Sequence, residues 1–414
     1  MTETRATARL ASNHRPSTDL LRTNPDWAKL PIFERKGWKR LPFAAFAESV
    51  NERVEPANAA EVIYVGLDDL DSCDIHIRRW GKGSDVIGTK LRFRKGDIIF
   101  GRRRAYQRKL AVAEMDGICS AHAMVVRAKP EMVLPEFLPF LMMSDKFMNR
   151  AVEISVGSLS PTINWTTLKL EDFDLPPLDQ QTRIAEILWA IDTLIESNQT
   201  ELADAVELRD ARVRQAAESS KSSVSLGELA TSITSGSRGW AEHYSSEGPI
   251  FLRIANLQRR NIRFDWREIQ RVSPPETKEA LRTRVKNGDV LISITAELGL
   301  IAFADQLLDE CYINQHIAMV SLDQTIYDPY LASMFLCLPP YADQFRKLND
   351  QGAKAGMNLK NVAKLRLPAL SLGEQLNRAA EIRAAESIID SLRINEEALS
   401  ALRKRLIRYL VEGR

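Results

Sequence analysis

The amino-acid sequence predicts an α+β fold in which two similar globular domains are each followed by a long helix. A run without Pro or Gly extends from Asp179 to Ser219, and its apolar side chains recur in alternate steps of three and four. This spacing indicates a helix with a narrow coiled-coil seam. A comparable run begins at Leu367, which is 192 residues after Leu175. Short β-type segments before each run repeat in the same order, so the chain contains a duplicated unit.

The first long helix follows the step Pro176-Pro177, which cannot continue a helix backwards. Asp179 is expected to cap its first turn. A helix from Asp179 to Ser219 would be roughly 60 Å long. This is too long for one globular layer, so we interpret the helix as a spacer between two bodies. Its apolar seam consists of Ile184, Ile187/Leu188, Ile191, Leu194/Ile195 and Leu202, with polar Asn198 among them.

The second long helix is expected to begin at a capping box formed by Ser371-Leu372-Gly373-Glu374. Its seam consists of Ile382, Ala385, Ile389, Leu392, Leu399, Leu402 and Leu406. Glu396 interrupts this seam near the middle, as Asn198 does in the first helix, which favours control of the pairing register. The alternative is two unrelated amphipathic helices, each packed on its own domain. The repeated flanking segments favour duplication instead.

These patterns divide the chain into five segments: a weakly ordered N-terminal arm over 1–36, a first domain over 37–174, a first long helix over 175–222, a second domain over 223–366 and a second long helix over 367–414. In the first domain, β-type runs are expected at 62–65, 95–100 and 121–127. A helical patch is expected at 136–152. Gly288-Asp289 in the second domain repeats Gly96-Asp97 at an offset of 192 residues.

Composition sets limits on the class of protein. The formal net charge is only +2, so a basic surface for an anionic partner must be local. No run approaches 18 apolar residues, so we expect no membrane span. The polar N-terminus lacks the apolar core of a signal peptide. Four scattered cysteines favour reduced thiols in a cytoplasmic protein over a zinc site or a disulfide framework.

Several motifs carry a family resemblance. They are the two stretches that open the long helices, Gly96–Arg102 with the later Asp116–Ser120, and in the second unit Ile233–Ser237 and Tyr312–His316. With these motifs, the chain from about Gly37 to Arg414 resembles a specificity subunit of a type I restriction–modification system. Two features depart from the family pattern: the N-terminal arm, and Pro368-Ala369 where the first unit has Pro176-Pro177.

The resemblance implies two target recognition domains, each reading half of a split site in double-stranded DNA. It implies that the two long helices pack antiparallel as a coiled-coil spacer and dock two methyltransferase subunits. ATP-dependent translocase and nuclease subunits for restriction would join the complex. No cofactor is then expected on this chain, because S-adenosylmethionine, ATP and Mg²⁺ would bind the partner subunits.

In the first domain, the candidate DNA contacts directly follow a predicted strand and are therefore expected on a hairpin loop: Arg102, Arg103, Arg104, Tyr106 and Arg108, with Lys109 beside them. The planar fork of arginine can bind guanine O6 and N7 together. The alternative is a solvated basic turn. Weaker candidates for phosphate contacts surround Trp80, namely Arg78, Arg79 and Lys82.

The second domain offers two candidate groups for DNA contact: Ser237, Arg238 and Trp240 in a glycine-containing loop, and Arg253, Asn256, Gln258 and Arg259 after a strand-like segment. For the second group, base reading and an ordinary surface are equally compatible with the sequence. His122 and His316 fall at repeat-related positions. Each is better explained as a structural histidine at a strand end than as a base contact.

Enzyme motifs are lacking in the sequence. Leu338-Pro339-Pro340-Tyr341 has leucine where an amino-methyltransferase loop needs Asp or Asn, and Asp328-Pro329-Tyr330 lacks the second proline. No GxxxxGK[ST] loop, metal-spaced His/Cys cluster or G-x-S-x-G elbow is present. We therefore expect no catalysis by this chain alone. The alternative function is a structural coiled-coil adaptor that binds no DNA, and a third is a self-sufficient methylase.

Overall fold

The computed structural model describes residues 32, 34–59, 62–236, 238–305, 307–348 and 356–413. The proposed N-terminal arm lies almost entirely outside these residues. The chain divides into two compact units: residues up to 198 together with those from 395 form the first unit, and residues 199–394 form the second. Each unit therefore contains one globular domain and a segment of each long helix.

The first unit is built on short strands, which are β1 (Lys39–Pro42), β2 (Ala47–Val50), β3 (Arg53–Val54), β4 (Ile63–Val65), β5 (Gly81–Lys82), β6 (Lys90–Phe93), β7 (Ile98–Phe100), β8 (Leu110–Val112), β9 (Gly117–Cys119), β10 (Met124–Ala128) and β11 (Asp172–Leu175). One sheet has the order β2-β10-β7-β8 and a second has the order β3-β6-β9-β4-β5, while β1 pairs with β11. The predicted β-type runs are thus confirmed as β4, β7 and β10.

Apolar residues on both faces of the β2-β10-β7-β8 sheet belong to two different cores. Ile98 and Phe100 belong to the core shared with the helices, whereas Ile99 belongs to a second core with residues of the other sheet. Side chains alternate between the faces of a strand. A strand covered on both faces therefore needs an uninterrupted apolar sequence, which explains the run Ile98-Ile99-Phe100.

The helices of the first domain are α1 (Phe43–Phe46), α2 (Leu138–Met143), α3 (Asp145–Glu153) and α4 (Trp165–Leu168). An aromatic cluster joins three of these elements to the sheet: the ring of Phe43 lies 5.3 Å from that of Phe147 and 5.8 Å from that of Trp165, between ring centroids. The predicted helical patch at 136–152 is confirmed as α2 and α3.

The second unit repeats this plan. Its strands are β12 (Ser223–Ser225), β13 (Ala230–Ser235), β14 (Tyr244–Leu252), β15 (Arg271–Val272), β16 (Val290–Ser293), β17 (Ile301–Phe303), β18 (Cys311–Ile313), β19 (Ile317–Leu322) and β20 (Arg366–Pro368). The order β13-β19-β16-β17 corresponds to β2-β10-β7-β8, and β12 pairs with β20 as β1 pairs with β11. In the third sheet, β15-β14-β18, the strands β14 and β18 pair in parallel, as β4 and β9 do in the first unit.

Within the described residues the second unit has five short helices, and each of the two long helices contributes one segment to it. In chain order these helices are α5 (Leu178–Glu218), α6 (Leu226–Leu229), α7 (Lys278–Thr283), α8 (Pro329–Cys337), α9 (Gln344–Lys347), α10 (Leu359–Ala363) and α11 (Leu372–Ile407). Helix α11 continues as a π-helical turn, Arg408–Glu412. The fold is therefore α+β with two duplicated domains and two long helices, as predicted.

The repeated Gly-Asp pair forms a turn and is structural. Gly96 and Gly288 have φ of +90° and +92°, a conformation that favours glycine. Asp97 then accepts a hydrogen bond of 2.8 Å from the backbone N–H of Arg94. Asp289 accepts one of the same length, 2.8 Å, from the backbone N–H of Lys286. One of the motifs behind the family resemblance is thereby explained by backbone geometry alone.

Each unit contains an antiparallel pair of helix segments. In the second unit Arg209 on α5 bonds Glu386 on α11 at 2.8 Å, and Arg212 lies 3.7 Å from Glu381. Higher numbers on one helix thus pair with lower numbers on the other. In the first unit, the last turns of α11 contribute Ile407 to the core that holds α5. The antiparallel packing that the family resemblance implies is present within each unit.

The same ion pair between the long helices is built twice. In the first unit Arg403 Nη1 lies 2.8 Å from Asp192 Oδ1, and both side chains are largely buried. Arg403 stands 194 residues after Arg209, and Glu386 stands 194 residues after Asp192. Breaking a buried pair by removing one partner leaves an uncompensated charge, so these pairs constrain the register of the two helices strongly.

A buried glutamine fastens each long helix to its domain. Gln181 is fully buried. Its Oε1 accepts from Leu134 N at 2.8 Å, and its Nε2 donates to Met132 O at 3.0 Å and Pro176 O at 2.8 Å. Gln375 makes the same three bonds in the second unit, to Asp328 N, Ile326 O and Leu370 O. The glutamine of each helix-opening motif is therefore a structural clamp.

Helix starts differ slightly from expectation. Helix α5 begins at Leu178, so Asp179 lies in its first turn and not at the cap. Its charge still suits the positive end of the helix. The capping box of α11 is confirmed, because Ser371 N donates to Glu374 at 2.9 Å and Glu374 N donates back to Ser371 Oγ at 3.4 Å.

A histidine bridges the first domain and the long helices. His76 Nε2 lies 2.7 Å from Asp192 Oδ2, and Nδ1 lies 2.8 Å from Glu114 Oε1. The hydrogen bond to Asp192, reinforced by the one to Glu114, raises the pKa of His76 to about 9 against the opposing effect of burial. The imidazolium therefore shares Asp192 with Arg403.

Replacing Gln181 by Ala should lower the free energy of unfolding by about 2 kcal/mol or more, because buried backbone groups lose their only side-chain partners. Gln215→Ala is the matched control, since Gln215 is an exposed residue of the same helix. Chemical denaturation measures both variants. Equal stability of the two would show that the buried amide does not hold the helix.

Stability should fall as pH rises from about 6.5 to about 9, because the folded-state pKa of His76 lies above its ordinary value of 6.5. The protonated imidazole stabilises the fold below that window, and its contribution is lost above it. Unfolding free energies at pH 6.5, 7.5 and 9 measure the slope. His76→Gln should flatten it, and His243→Gln in the second unit is the control. A slope retained in His76→Gln would refute the bridge.

Candidate nucleic-acid interface

The basic segment of the first domain forms a hairpin loop, as the sequence predicts. β7 and β8 pair antiparallel with Phe100 opposite Leu110, and the loop between them carries a 3-10 turn over Ala105–Gln107. Arg104 and Arg108 flank this turn with φ of 57° and 51°. A left-handed conformation at two bulky residues is unusual, so the surrounding contacts fix the shape of this loop.

The tip of the loop is anchored by its backbone and leaves its guanidinium groups exposed. Arg103 forms an isolated β-bridge with Thr162, and Arg104 N donates to Pro161 O at 2.8 Å. Within the described part of the chain, neither guanidinium has a hydrogen-bond or ion-pair partner, and both residues are exposed. Tyr106 is 56% exposed. Positive charge is thus presented on a rigid support.

Arg108 has a different role from the tip residues. Its Nη1 lies 2.5 Å from Asp145 Oδ1, and its Nη2 donates to Asn149 Oδ1 at 2.7 Å. The bond from Arg108 holds the pKa of Asp145 below its ordinary value. The guanidinium therefore ties the loop to α3, and its two terminal nitrogens are already engaged within the fold.

Arg102 lines a cleft of about 500 Å³ next to the loop, together with Arg53, Lys90, His122 and Trp165. Its Nη2 donates to Ala121 O at 3.1 Å. Among the described residues that line this cleft, none is acidic. Sequence reasoning missed Arg53 and Lys90, which lie on β3 and β6 far from the loop in sequence.

The weaker candidates around Trp80 are paired within the fold. Arg78 bonds Asp74 and Glu196, the latter on α5. Arg79 Nη2 lies 2.8 Å from Asp71 Oδ1. These two guanidinium groups have their charge balanced locally, so they are poorly suited to neutralise DNA phosphates.

In the second domain the predicted site residues are not brought together as a group. Ser237 lies outside the described residues. Arg238 is exposed. Trp240 is only 5% exposed and stacks on Phe251, with 5.4 Å between ring centroids, in a small core. The prediction that Trp240 contacts DNA is therefore wrong, because its ring is committed to packing.

Asn256 is also excluded as a base contact. It is fully buried; its Oδ1 accepts from Arg253 N at 2.9 Å and its Nδ2 donates to Asp265 O at 2.9 Å and Glu268 O at 2.8 Å. Its amide groups are satisfied inside the loop that it shapes. The prediction for Asn256 is wrong for this reason.

The remaining candidates of that segment are accessible and stay predictions. Arg253 Nη2 lies 4.0 Å from Glu268 Oε2, and Arg259 bonds Glu297 Oε1 at 2.6 Å. Gln258 is partly exposed and makes one long bond of 3.4 Å to a backbone carbonyl. Arg259 also borders a cleft of about 450 Å³ that contains both Arg346 and Asp343.

The structure identifies the true counterpart of the basic loop in the second unit as Ile294-Thr295-Ala296. Ile163 N donates to Arg102 O at 2.9 Å, and the equivalent Met357 N donates to Ile294 O at 2.9 Å. Thr295 forms the β-bridge that corresponds to that of Arg103, and Ala296 has φ of 59°, close to the value for Arg104. The three arginines are therefore replaced by uncharged residues. Aligning the two units of the sequence at an offset of 192 residues places Arg102 opposite Ile294 and predicts this replacement.

The two repeat-related histidines also differ. His316 is partly buried, and its Nδ1 lies 2.6 Å from Thr295 Oγ1. Its Nε2 lies 2.9 Å from Gln315 Nε2. His122 is exposed and lines the 500 Å³ cleft. Partial burial, followed by the charges of Arg103, Arg102 and Lys90, lowers the pKa of His122.

Across the described ranges, no group of His, Cys, Asp and Glu is arranged to hold a metal ion. The four cysteines are free, three of them buried and Cys73 exposed. No helix in the described part of the chain is long and apolar enough to cross a membrane.

Comparison with known proteins gives a family match. Residues 58–208 match the family described as type I restriction modification DNA specificity domain. A curated relative, the type I restriction enzyme EcoDI specificity subunit of Escherichia coli, is 27% identical over 171 residues, which is 38% of this chain and 36% of the relative. The match thus spans about a third of the length of that relative.

Two solved structures share the fold over most of the chain. The S subunit of a type I restriction–modification system from M. genitalium has a TM-score of 0.59 at 14% identity, covering 90% of this chain and 96% of its own. A structure described under complex assembly and conformational transition of the type I R-M system has a TM-score of 0.55 at 22% identity, covering 91% and 97%. The match at 58–208 confirms, over that range, the resemblance to type I restriction–modification specificity subunits drawn from the sequence motifs.

Proposed function

We propose that this chain is the DNA-reading subunit of a type I restriction–modification complex and that it reads a split, asymmetric site in double-stranded DNA. The observation that carries the proposal is the hairpin tip, where Arg103 and Arg104 are exposed on an anchored backbone and have no side-chain partner among the described residues. Arginine at such a tip suits both base edges and phosphates. The tip also lies inside the matched range 58–208.

Duplication of the domain supports a site in two halves. Two readers joined by helices can each meet one groove of a duplex, and a separation near one helical turn, about 34–36 Å, or a multiple of it places both on one side. Arg102-Arg103-Arg104 in one unit corresponds to Ile294-Thr295-Ala296 in the other. Different side chains at equivalent positions would read different bases, so the two half-sites would differ.

The proposed partners dock on the long helices. Exposed apolar side chains on both helices support this assignment, and they are Leu194, Leu208, Ile388 and Ile394. Two methyltransferase subunits would bind there, and the ATP-dependent translocase and nuclease subunits would complete the restricting complex. S-adenosylmethionine, ATP and Mg²⁺ would be bound by those partners, and this chain would be non-catalytic. The purified chain alone should then transfer no methyl group.

Binding of a random-sequence 30-base-pair duplex to the purified full-length chain should weaken steeply between 50 and 200 mM salt, because each neutralised phosphate releases counterions. Fluorescence anisotropy at a series of salt concentrations measures the slope. Binding that is absent, or that does not respond to salt, while the methyltransferase subunits still bind the chain, would favour a structural adaptor.

The double substitution Arg103→Ala/Arg104→Ala should weaken duplex binding about tenfold and reduce the salt slope by roughly two, as expected for two lost charge contacts. The matched control is Arg40→Ala/Arg94→Ala. It removes the same charge from exposed arginines that lie within 3.8 Å of acidic side chains.

Docking of the methyltransferase subunits, followed by size-exclusion chromatography, should be unchanged in both double variants. Loss of docking with unchanged duplex affinity in Arg103→Ala/Arg104→Ala would assign the hairpin tip to a protein interface and contradict its role in DNA reading.

A further inference from the structure

The cleft beside the hairpin loop of the first unit is not used by the contacts described so far. Its volume is about 500 Å³, which lies within the usual range for small-ligand sites. Arg53 on β3, Lys90 on β6, Arg102 on the hairpin loop and His122 on the turn before β10 line it. Four separate elements thus bring cationic or protonatable groups to one concave surface.

Polar groups in this cleft lack anionic partners. Arg102 Nε is enclosed and has no hydrogen-bond acceptor among the described residues. Arg53 is exposed, and the described residues give its guanidinium no partner. An enclosed donor without an acceptor carries a cost of about 1–3 kcal/mol. An anion in the cleft would supply the counter-charge that Arg53 and Arg102 lack among the described residues.

Charge in the cleft is fixed in place before any ligand arrives. Lys90 is only 8% exposed, and its Nζ donates to Gly88 O at 2.7 Å and to Ile87 O. Those carbonyls orient the ammonium but leave its charge unneutralised. The neighbouring cations act on His122 accordingly: after partial burial, Arg103, Arg102 and Lys90 lower its pKa. A bound anion would reverse this effect and favour the imidazolium.

The second unit has no such site at the equivalent position. Ile294 replaces Arg102, and His316 is held by Thr295 at 2.6 Å. Arg263 and Arg271 of the same unit are paired with Asp390 and Asp309. The other cleft described in the second unit, of about 450 Å³, differs because Asp343 lies among its arginines.

We propose that this cleft seats one backbone phosphate of duplex DNA, with Arg53 and Arg102 donating to its oxygens and His122 donating as an imidazolium. The ligand is a phosphate diester, because guanidinium forks and an imidazolium match several oxygens of one tetrahedral anion. Duplex DNA is the source, because the cleft adjoins the exposed tip formed by Arg103 and Arg104. The inference rests on the proposed function.

A single-unit phosphate site makes the two halves of the molecule unequal in their dependence on salt and pH. The first unit would hold DNA mainly through charge, and binding there would take up a proton at His122. Binding would therefore strengthen as pH falls through the range in which free His122 protonates. The groups that face His122 are Arg102, Arg103 and Lys90, with Arg53 across the cleft, and all are basic.

The test uses the full-length chain labelled with ¹³C at the Cε1 atoms of its five histidines, with His122→Gln assigning the His122 signal in NMR spectra. Inorganic phosphate and a 30-base-pair duplex are titrated separately. Each should shift the His122 signal and raise the pH midpoint of its titration, while the His316 signal stays in place. Arg102→Gln should abolish the phosphate-induced shift and weaken duplex binding about tenfold, with a salt slope lower by roughly one.

Arg53→Gln is the second variant, because Arg53 is exposed on the edge strand β3 and its replacement leaves the core intact. It should reduce the same shift. Unchanged signals of the other histidines verify folding in both variants. A duplex that binds with the expected salt dependence but leaves the His122 signal unmoved would overturn the cleft and leave the proposed function standing. Phosphate binding without any duplex binding would overturn both.

Discussion

A single buried carboxamide in each unit determines how the globular domain joins the long helix. Gln181 and Gln375 each accept one hydrogen bond and donate two, to backbone groups of the globular domain and of the segment that leads into the helix. A primary amide combines an acceptor oxygen and two N–H donors in one planar group, which is the set that these three bonds require. Glutamate would lose the donors and leucine would lose every bond, so the identity of this residue fixes the exit direction of the helix.

Beyond these clamps, ion pairs between the two long helices set their alignment. From Gln181 the helix reaches Asp192, which meets both His76 of the domain and Arg403 of the other helix. In the second unit Arg209 meets Glu386 in the same way. Buried pairs of this kind add little net stability over an apolar pair, but a register slip would strand their charges. They select one alignment of the helices.

Duplication preserved the skeleton and changed the loops. Both units keep the sheet order, the positive-φ glycine turn and the glutamine clamp, because each of these features satisfies backbone hydrogen bonds or a backbone conformation. The loop tip has no such constraint. The same backbone path carries three basic residues in the first unit and three uncharged residues in the second, Arg102-Arg103-Arg104 and Ile294-Thr295-Ala296. Binding residues commonly concentrate in loops on a rigid scaffold, and this chain shows how one scaffold supports two surfaces.

The sequence predicted what depends on local spacing. Helical periodicity located both long helices, the capping box of α11 was correct, and the basic segment lies on a hairpin loop as expected. Partners distant in sequence were beyond reach. Asn256 looked like a surface residue because the carbonyls of Asp265 and Glu268 that bury it cannot be placed from the sequence. Arg108 is indistinguishable from its neighbours in the sequence, because its partner Asp145 lies 37 residues further along the chain.

The packing of Trp240 likewise depends on residues distant in sequence. A tryptophan next to glycine and arginine resembles an exposed stacking residue, but Phe251 and Tyr312 come from two strands that pack around it. The cleft of the first unit cannot be predicted from the sequence, because its cations come from β3, β6 and the hairpin loop. These elements come together only in the folded domain. Chemistry gathered from several strands leaves no contiguous signature.

The discontinuity of the first unit affects how the protein folds as it leaves the ribosome. Ile407, Leu410 and Val411 belong to the core of a unit whose other residues end at 198. At about 5–20 residues per second, roughly 10–40 s of translation separate these two parts. The second unit, continuous from 199 to 394, is completed in the meantime. The domain that is synthesised first is thus completed last, and until then its core lacks the apolar side chains that the C-terminal segment contributes.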